Sequence, residues 1–563
     1  MGIGLKEGAR KNFLLRGVLS FVLTIFVALV MMAPMSATAC AADATTPTDA
    51  VVTTTVAFVP GDLTLTVGAT TSQMDFNWFS DAADSTNATV KIQGMSAVTG
   101  AQGAVTYVDG KDWNKVTING LKPATTYTFQ VSSNGVDFSQ AYTFTTTTSG
   151  NFTFAAVGDP QMGAGNLPTD TTGWAATVAE IMGKGVSFIA GTGDQVNDSG
   201  QSASNVVTKE NEYGSFFAGL NQSGTLVPFA PALGNHEGDG SSATGAGRAL
   251  YGYHYNTPNA ATEVVNGFTL CDYYYLQDNV LFVVLDTAAY PANAAAAKPF
   301  IDAYSRELTT ATTACAGQYD WIVVQTHKSE MSNADHNNDS DINAYSQAGF
   351  EDLMTKYSVD LVLTGHDHSY VRTYPLTSNG GPLATNGVSK DQNNLGDTLI
   401  NPVGTVYMVL DSASGSKFYE PKIPPKYTSK IEYQSDVPEY TLVNVTGNKL
   451  GITTYEVGGK VVDSFSITKT SVPTRFTVAS VSNANGQADV NFSIHSANGK
   501  GYTVYLSDSG ATGTFKPYTN VNYNASGAHL KGLTNGKTYY VYVEYANGSS
   551  FERSDTVTIN PSK

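Results

Sequence analysis

The sequence is short of cysteine, histidine and positive charge. Of its 563 residues only 3 are cysteine and 8 histidine. Three cysteines cannot build a disulfide-dense scaffold and leave room for one bridge at most. Lys and Arg number 31 against 48 Asp and Glu, a formal charge of −17. That balance argues against a nucleic-acid-binding surface or an anionic membrane as partner. An anionic substrate would have to be drawn in by local positive charge such as metal ions. Long apolar runs are also scarce. The exception lies within residues 1–42, which read as a signal peptide: Lys6, Arg10, Lys11 and Arg16 form a basic region, GVLSFVLTIFVALVMM the apolar core, and Ala37-Thr38-Ala39 an A-x-A cleavage pattern. The run is rather short for a span, so a retained anchor is the second choice. Cys40, directly after the cleavage pattern, leaves a lipid anchor open, although Ala37 stands where Leu is usual. The expectation is a secreted or cell-surface protein. Cys271 and Cys315 then remain as an even pair, expected to form one disulfide in an oxidising compartment; the alternative is two buried thiols.

A chain this long exceeds one core and divides into domains. Residues 50–148 read as short alternating strands (DLTLTVGA, MDFNWFS, ATVKIQG, TTYTFQVSS) separated by turn residues, the pattern of an all-β sandwich. Within it GLKPATTYTFQV, with Leu121, Pro123 and Tyr127, resembles the fibronectin type III signature around its tyrosine corner. Residues 473–563 repeat the theme as GLTNGKTYYVYV, where Leu533 and Tyr539 take the matching places and the proline is missing. The linkers are TTTTSG, Thr145 to Gly150, and TKTSVP, Thr468 to Pro473.

The middle, residues 151–470, has another rhythm. FTFAAVGD, VSFIAGTGD, PFAPALGNHE, NVLFVVLD, YDWIVVQTH, VDLVLTGHDH and TVYMVLD are continuous apolar runs suited to strands buried on both faces. Helical patterns lie between them, with Trp174, Val178 and Ile181 on one face, and Phe350, Leu353, Met354 and Tyr357 on another. The expected fold class is multidomain: an α/β layered domain with a β-sandwich core and flanking helices, placed between two all-β sandwiches.

Five of the apolar runs finish in metal-ligand chemistry: Asp159; Asp194; Asn235 with His236; His327; His366 and His368. One strand ending in Asp is unremarkable, since Asp is a common helix cap. Five ending in oxygen and nitrogen donors point to a metal centre at the carboxyl ends of the strands, with imidazole favouring Fe, Zn or Mn. His254, His495 and His529 carry no such context and read as surface or satisfied histidines. The acidic loop DHNNDSD lacks the Gly and the closing Glu of a calcium loop.

The order GDPQ, GDQVN, GNHE, VQTH, GHDH resembles the calcineurin-like metallophosphoesterases and, within them, the purple acid phosphatases. The resemblance runs through YYYLQDNVLFVVLDT and HSYVRTYPL and includes the preceding sandwich, as the N-terminal domain type of that family. It implies a binuclear centre of two transition-metal ions. One would be held by Asp159, Asp194 and His368, the other by Asp194, Asn235, His327 and His366, with Asp194 bridging. Two positions depart from the family: Gln161 replaces a histidine of the wider superfamily, and Asn197 replaces the purple acid phosphatase tyrosine. Either amide, or water, would complete the first ion, and the iron preference and purple colour come into question. The resemblance further implies hydrolysis of phosphomonoesters, with hydroxide on the metals attacking phosphorus and His236 as general acid. It places His336, Asn235 and Tyr370 against a small phosphorylated substrate. A phosphodiesterase or nucleotide pyrophosphatase would use the same metals. The rival of another class is a surface-binding protein, whose sandwiches contact polymers or the cell surface and whose centre is degenerate. Substrate identity and oligomeric state have no readable code here.

Overall fold

The structure is a computed structural model and describes residues 57–562, apart from 109, 201, 222–223, 239–244, 317, 379–387, 426–427, 470–477, 493–501, 511–513, 522–526, 548–549 and 555. The signal-peptide reading, Cys40, His495 and most of the second linker therefore lie outside the described residues.

Two sheets form the centre. In the first, Asn151–Val157, Ile189–Gly191 and Phe229–Pro231 run parallel, with Val157, Gly191 and Pro231 on one rung. In the second, Val280–Leu285, Trp321–Thr326, Leu361–Thr364 and Val406–Val409 are successive parallel neighbours. Each apolar run has two buried faces because each sheet is covered twice. Phe154, Phe188, Phe282, Val323, Leu361 and Leu363 fill the space between the sheets. The alternate residues face helices. α1 (Leu167–Gly183) and α2 (Ala203–Leu220) pack on the first sheet through Trp174, Val178, Ile181, Phe216 and Phe217. The single turn α3 (Asn235–Gly238) and α4 (Ala246–His254) follow on that side. α5 (Ala294–Ala314), α6 (Ser340–Ala348) and α7 (Phe350–Lys356) cover the second sheet through Phe300, Tyr304, Leu308, Tyr345, Phe350 and Met354. The expected β-sandwich core with flanking helices is this four-layer arrangement.

The N-terminal strands are less separate than the sequence suggests. Gly61–Val67, Gln73–Asp81, Lys111–Asn119 and Ala101–Ala104 belong to the same eleven-stranded sheet as the central strands, joined where Thr66 pairs with Phe229 in parallel. A four-stranded sheet closes the sandwich over Phe76, Trp78, Phe129 and Phe144. The hydroxyl of Tyr127 accepts the Lys122 N–H at 2.8 Å, and that of Tyr539 accepts the Thr534 N–H at 3.0 Å. Both are tyrosine corners. The C-terminal strands form a three-stranded and a five-stranded sheet around a core containing Val490, Val504, Leu530 and Val541.

The expected disulfide is absent: Cys271 and Cys315 are free thiols. Cys271 packs against the cluster under α1, α2 and α4, whereas Cys315 ends α5 inside the cluster of the second sheet. An even count says nothing about which core each thiol enters. Burial pushes Cys315 up to about 11, and burial together with Asp286 pushes Cys271 up to about 12, so neither is a reactive thiolate.

Phe154 lies at the centre of the sandwich, its ring centroid 5.3 Å from Phe188 and 5.1 Å from Phe282. Phe154→Ala should cost about 3–5 kcal/mol, the range for a buried aromatic truncated to a cavity. Denaturant unfolding of both proteins measures it; a loss under about 1 kcal/mol would show that the two sheets collapse onto each other freely.

Candidate metal centre

The strands deliver their polar ends to one place because the parallel registers are level. Asp159, Asp194 and Asn235 lie two, three and four residues beyond the common rung of the first sheet. His327 and His366 lie two and three residues beyond the Gln325–Leu363 rung of the second. Gln325 fastens the sheets together just below the site: its amide nitrogen donates to the Ala230 carbonyl at 2.7 Å and to that of Gly191.

The turns that carry the donors are tight. Asp159, Gln161, Asp194, His366 and His368 have φ of +42°, +37°, +50°, +72° and +40°. Non-glycine residues rarely adopt this region, and such strain gathers where surroundings over-determine the backbone. Two glycines make room. A Cβ at Gly365 would fall 2.1 Å from Asp159 Oδ2, and one at Gly234 would fall 2.0 Å from Asp194 Oδ1.

Around His327 the contacts are dense. Its Nε2 lies 2.9 Å from Asn235 Oδ1, 3.2 Å from Asp194 Oδ2 and 3.2 Å from His366 Nδ1. Its Nδ1 lies 2.9 Å from the Thr192 carbonyl, which can only accept, so Nδ1 carries the proton. Nε2 then faces a carboxylate oxygen, an amide oxygen and another imidazole. The same device sets His368, whose Nδ1 donates to the Lys417 carbonyl at 3.0 Å and whose Nε2 lies 3.7 Å from Asp159 Oδ1. A carbonyl fixing the far nitrogen is how proteins orient metal-binding imidazoles.

Electrostatics agree with the geometry. Burial raises the carboxyl of Asp159 well above the usual range, and neighbouring Asp194 adds to this. Burial would also raise Asp194, but His327 and His236 outweigh it and hold it low. His327 is pulled down by burial and pushed up further by Asp194, to about 9, so with no cation bound its Nε2 holds a proton against Asp194, the proton that a metal ion would displace. Burial lowers His368, helped by the Lys417 ammonium, to about 3, and depresses His366 strongly. His366 and His368 are thereby kept neutral beside the carboxylates of Asp159 and Asp194, so their inward nitrogens offer electron pairs. His366 Nε2 and both amide atoms of Gln161 are buried without a hydrogen-bond partner among the described residues. The donor set therefore fits transition-metal cations: Asp194, Asn235, His327 and His366 as one group, Asp159 and His368 with Asp194 as the other. Gln161, of the two departures, supplies the orphaned buried amide. Asn197 meets the site through its backbone, the N–H donating to Glu212 at 2.9 Å and the carbonyl accepting from His236 Nδ1.

His236 stands at the mouth, its Nε2 3.9 Å from Asp194 Oδ2 and its side chain 23% exposed. His336 stacks on His366 with centroids 4.2 Å apart, and its Nδ1 pairs with Asp339 at 2.7 Å. Tyr370 is a correction. It does not face the site: it is fully buried in the sandwich and its hydroxyl donates to Asp463 at 2.8 Å. The left-handed turn at His368 breaks the alternation before the strand Tyr370–Thr373 begins, so Tyr370 packs inward. His254, read as an ordinary histidine, is fully buried between Asp62 and Glu210. His529 pairs with Asp489 at 2.5 Å.

Four residues that sequence reasoning passed over shape the centre. Glu237 accepts the N–H groups of Asp194, Val196 and Gly234 at 2.8–2.9 Å, and burial with Asp194 nearby pushes it up to about 7. Asp367 accepts the N–H groups of Ala334 at 2.6 Å and His336 at 2.8 Å, pinning the His336 loop to the GHDH turn. Both sit inside motifs already noticed, in places where the histidines draw attention. Tyr419 sets its ring edge-on to His336 and His368, and the Lys417 ammonium lies 4.7 Å from that ring. No pattern marks these two, because their loop is brought in from beyond Val406–Val409.

Comparison with known proteins agrees with this geometry. Residues 152–370 match the calcineurin-like phosphoesterase family, in agreement with the fold and the donor cluster of that domain. Residues 60–146 match the purple acid phosphatase N-terminal domain. The chain thus carries a purple acid phosphatase N-terminal-type domain followed by a calcineurin-like phosphoesterase domain, a pairing that belongs with a dimetal centre. A purple acid phosphatase from yellow lupin (Lupinus luteus) seeds shares the fold, with TM-score 0.56 at 16% identity over 73% of this chain and 74% of that one. An uncharacterized protein of Mycobacterium tuberculosis is 27% identical over 212 residues, 36% of this chain and 38% of that protein, so the chain spans under half of this relative. An acid phosphatase of Aspergillus ficuum is 40% identical over 60 residues, 11% of this chain and 9% of that one.

Glu237 tests whether backbone support matters to the donors. Glu237→Ala should weaken metal retention roughly 10- to 100-fold, as loss of a group supporting metal ligands does. Dialysis against graded chelator followed by elemental analysis reads it; unchanged retention would show that the Asp194 turn holds itself.

Proposed function

We propose that the chain is an exported phosphatase that hydrolyses phosphomonoesters at this dimetal centre. The observation that carries the reading is His236, held with its Nδ1–H on the Asn197 carbonyl and its other nitrogen directed at the donor cluster. Asp159, Asp194, His368, Asn235, His327 and His366 would hold two cations. When bound, these supply Lewis acidity, polarising phosphoryl oxygens and acidifying water.

The protein's own groups do the rest. Lys417, beside Tyr419, adds positive charge at the mouth of a strongly acidic chain, which favours a dianionic phosphate there over the general field. His336 is oriented by Asp339, so one nitrogen is fixed as donor to that carboxylate and the ring stays stacked on His366; it positions the substrate. His236 delivers a proton to the departing alkoxide oxygen, so that the leaving group departs as the neutral alcohol. Lys209 steadies this turn by donating to the His236 carbonyl at 3.0 Å. The basic, apolar and small-residue succession of residues 1–42 supports export as part of this reading.

If His236 is the acid, His236→Ala should slow an alkyl phosphate by roughly 10²–10⁴-fold, the usual span for general acid catalysis. An aryl phosphate with an acidic phenol needs no such proton and should lose far less. Equal losses on both would remove His236 from that role, and faster turnover of a phosphodiester than of either monoester would replace the proposed substrate class.

A further inference from the structure

Away from the dimetal centre, three elements bring a second set of donors together. Asp62 comes from the strand Gly61–Val67, Glu210 from α2 and His254 from the last position of α4. One donor atom from each lies within 4.8 Å of the others. His254 Nε2 is 3.2 Å from Glu210 Oε1, and His254 Nδ1 is 3.9 Å from Asp62 Oδ2. The imidazole is fully buried, and its Nδ1 has no hydrogen-bond partner among the described residues.

The surroundings build this arrangement from both sides. The pairing of Gly61–Val67 with Gln73–Asp81 shifts register between Gly61 and Thr64, and Asp62 inside that irregularity has φ of +44°. Bulges re-aim a side chain at the cost of a ladder position. Here the bulge turns Asp62 toward α2, where a Cβ on Gly214 would lie 4.0 Å from its Oδ1. The His254 ring is boxed by Phe79, Tyr213 and Phe217 at centroid distances of 4.6, 4.0 and 5.3 Å. Only its nitrogens meet polar atoms. The lysine whose charge acts on Asp62, Lys111, is committed to Asp81 at 2.7 Å.

We propose that Asp62, Glu210 and His254 form a third metal site, which takes a divalent transition ion such as Zn²⁺ and clips the N-terminal sandwich to the catalytic domain. One imidazole with two carboxylates suits such an ion better than Ca²⁺ or Mg²⁺, which prefer all-oxygen sites. The donors need to draw in only modestly to reach the spacing of ligands held about 2.0–2.2 Å from zinc. Asp62 and Glu210 side chains are 21% and 17% exposed, which leaves an entry path for the ion and a place for water. Because the three residues belong to elements on either side of the domain junction, an ion here stabilises the junction and takes no part in turnover.

The test uses the full chain stripped of metal and titrated with zinc. Wild type should bind one more equivalent than Asp62→Asn or Glu210→Gln. Its thermal midpoint should rise with zinc concentration in a step that both variants lack, as mass action requires of a ligand bound only by the folded state. Both variants should keep wild-type phosphatase activity, and His327→Ala should keep the third equivalent. Should Asp62→Asn fail to fold, Glu210→Gln on the partly exposed helix face carries the comparison. Equal stoichiometry and equal zinc shifts in wild type and variants would overturn the proposal. So would a junction whose stability follows pH and ignores zinc, since the three groups would then be an ion-pair network around a protonated imidazole.

Discussion

Two carboxylates buried side by side among three imidazoles dominate this structure. Asp159 and Asp194 have no exposure worth the name, and taking such charges out of water is expensive unless something positive compensates. The backbone offsets part of the cost. Asp159 accepts the His366 N–H through both oxygens at 3.0 and 2.8 Å, and Asp194 accepts the His236 N–H at 2.9 Å. Those amides point inward only because the turns adopt left-handed φ, and the turns fit only because Gly365 and Gly234 have no side chain. Level strand registers, strained turns, obligatory glycines and the Gln325 strut all serve one end. They hold acceptors closer together than water-solvated groups would stand.

The same constraint explains why His327 and His368 each have a carbonyl of their own. The carbonyls of Thr192 and Lys417 each accept a hydrogen bond from the outer nitrogen of a histidine, which turns the inner nitrogen toward the carboxylates as a ligand for a cation. Protein cations do not substitute at this spot. Lys328, adjacent to His327, is turned away to Asp341 and to the Ala289 carbonyl. The pocket is thus complementary to small multivalent cations supplied from outside, whose bound water its buried oxygen and nitrogen donors would replace.

The donors were legible because each ends an apolar run, and the combination of strand pattern and ligand type needs no tertiary knowledge. Three features were not legible, each for its own reason. Tyr370 shares the motif of His366 and His368, yet one left-handed residue rotates it into the core, and φ is not written in composition. The thiols Cys271 and Cys315 pair by parity but enter different cores. The sequence changes rhythm near residue 150, where the domain boundary is expected. The sheet nonetheless crosses it, because the junction is a long-range pairing of Thr66 with Phe229 that leaves no local mark.

That crossing alters what the N-terminal sandwich is for. A tethered adhesion module would touch its neighbour lightly, as most interdomain surfaces do. Here the strand Gly61–Val67 abuts Phe229–Pro231, the strand that leads into Asn235 and His236. Lys115 reaches from the sandwich to donate to the carbonyls of Gly252 at 2.5 Å and Tyr255 at 2.7 Å, satisfying the C-terminal end of α4 where a cation is favoured. Burial lowers that lysine to about 8, against the opposing pull of Asp75. A protein does not bury a lysine in this way for a joint that swings. The sandwich is a buttress: it fixes one edge of the central sheet, and through that edge the turn that carries Asn235 and His236.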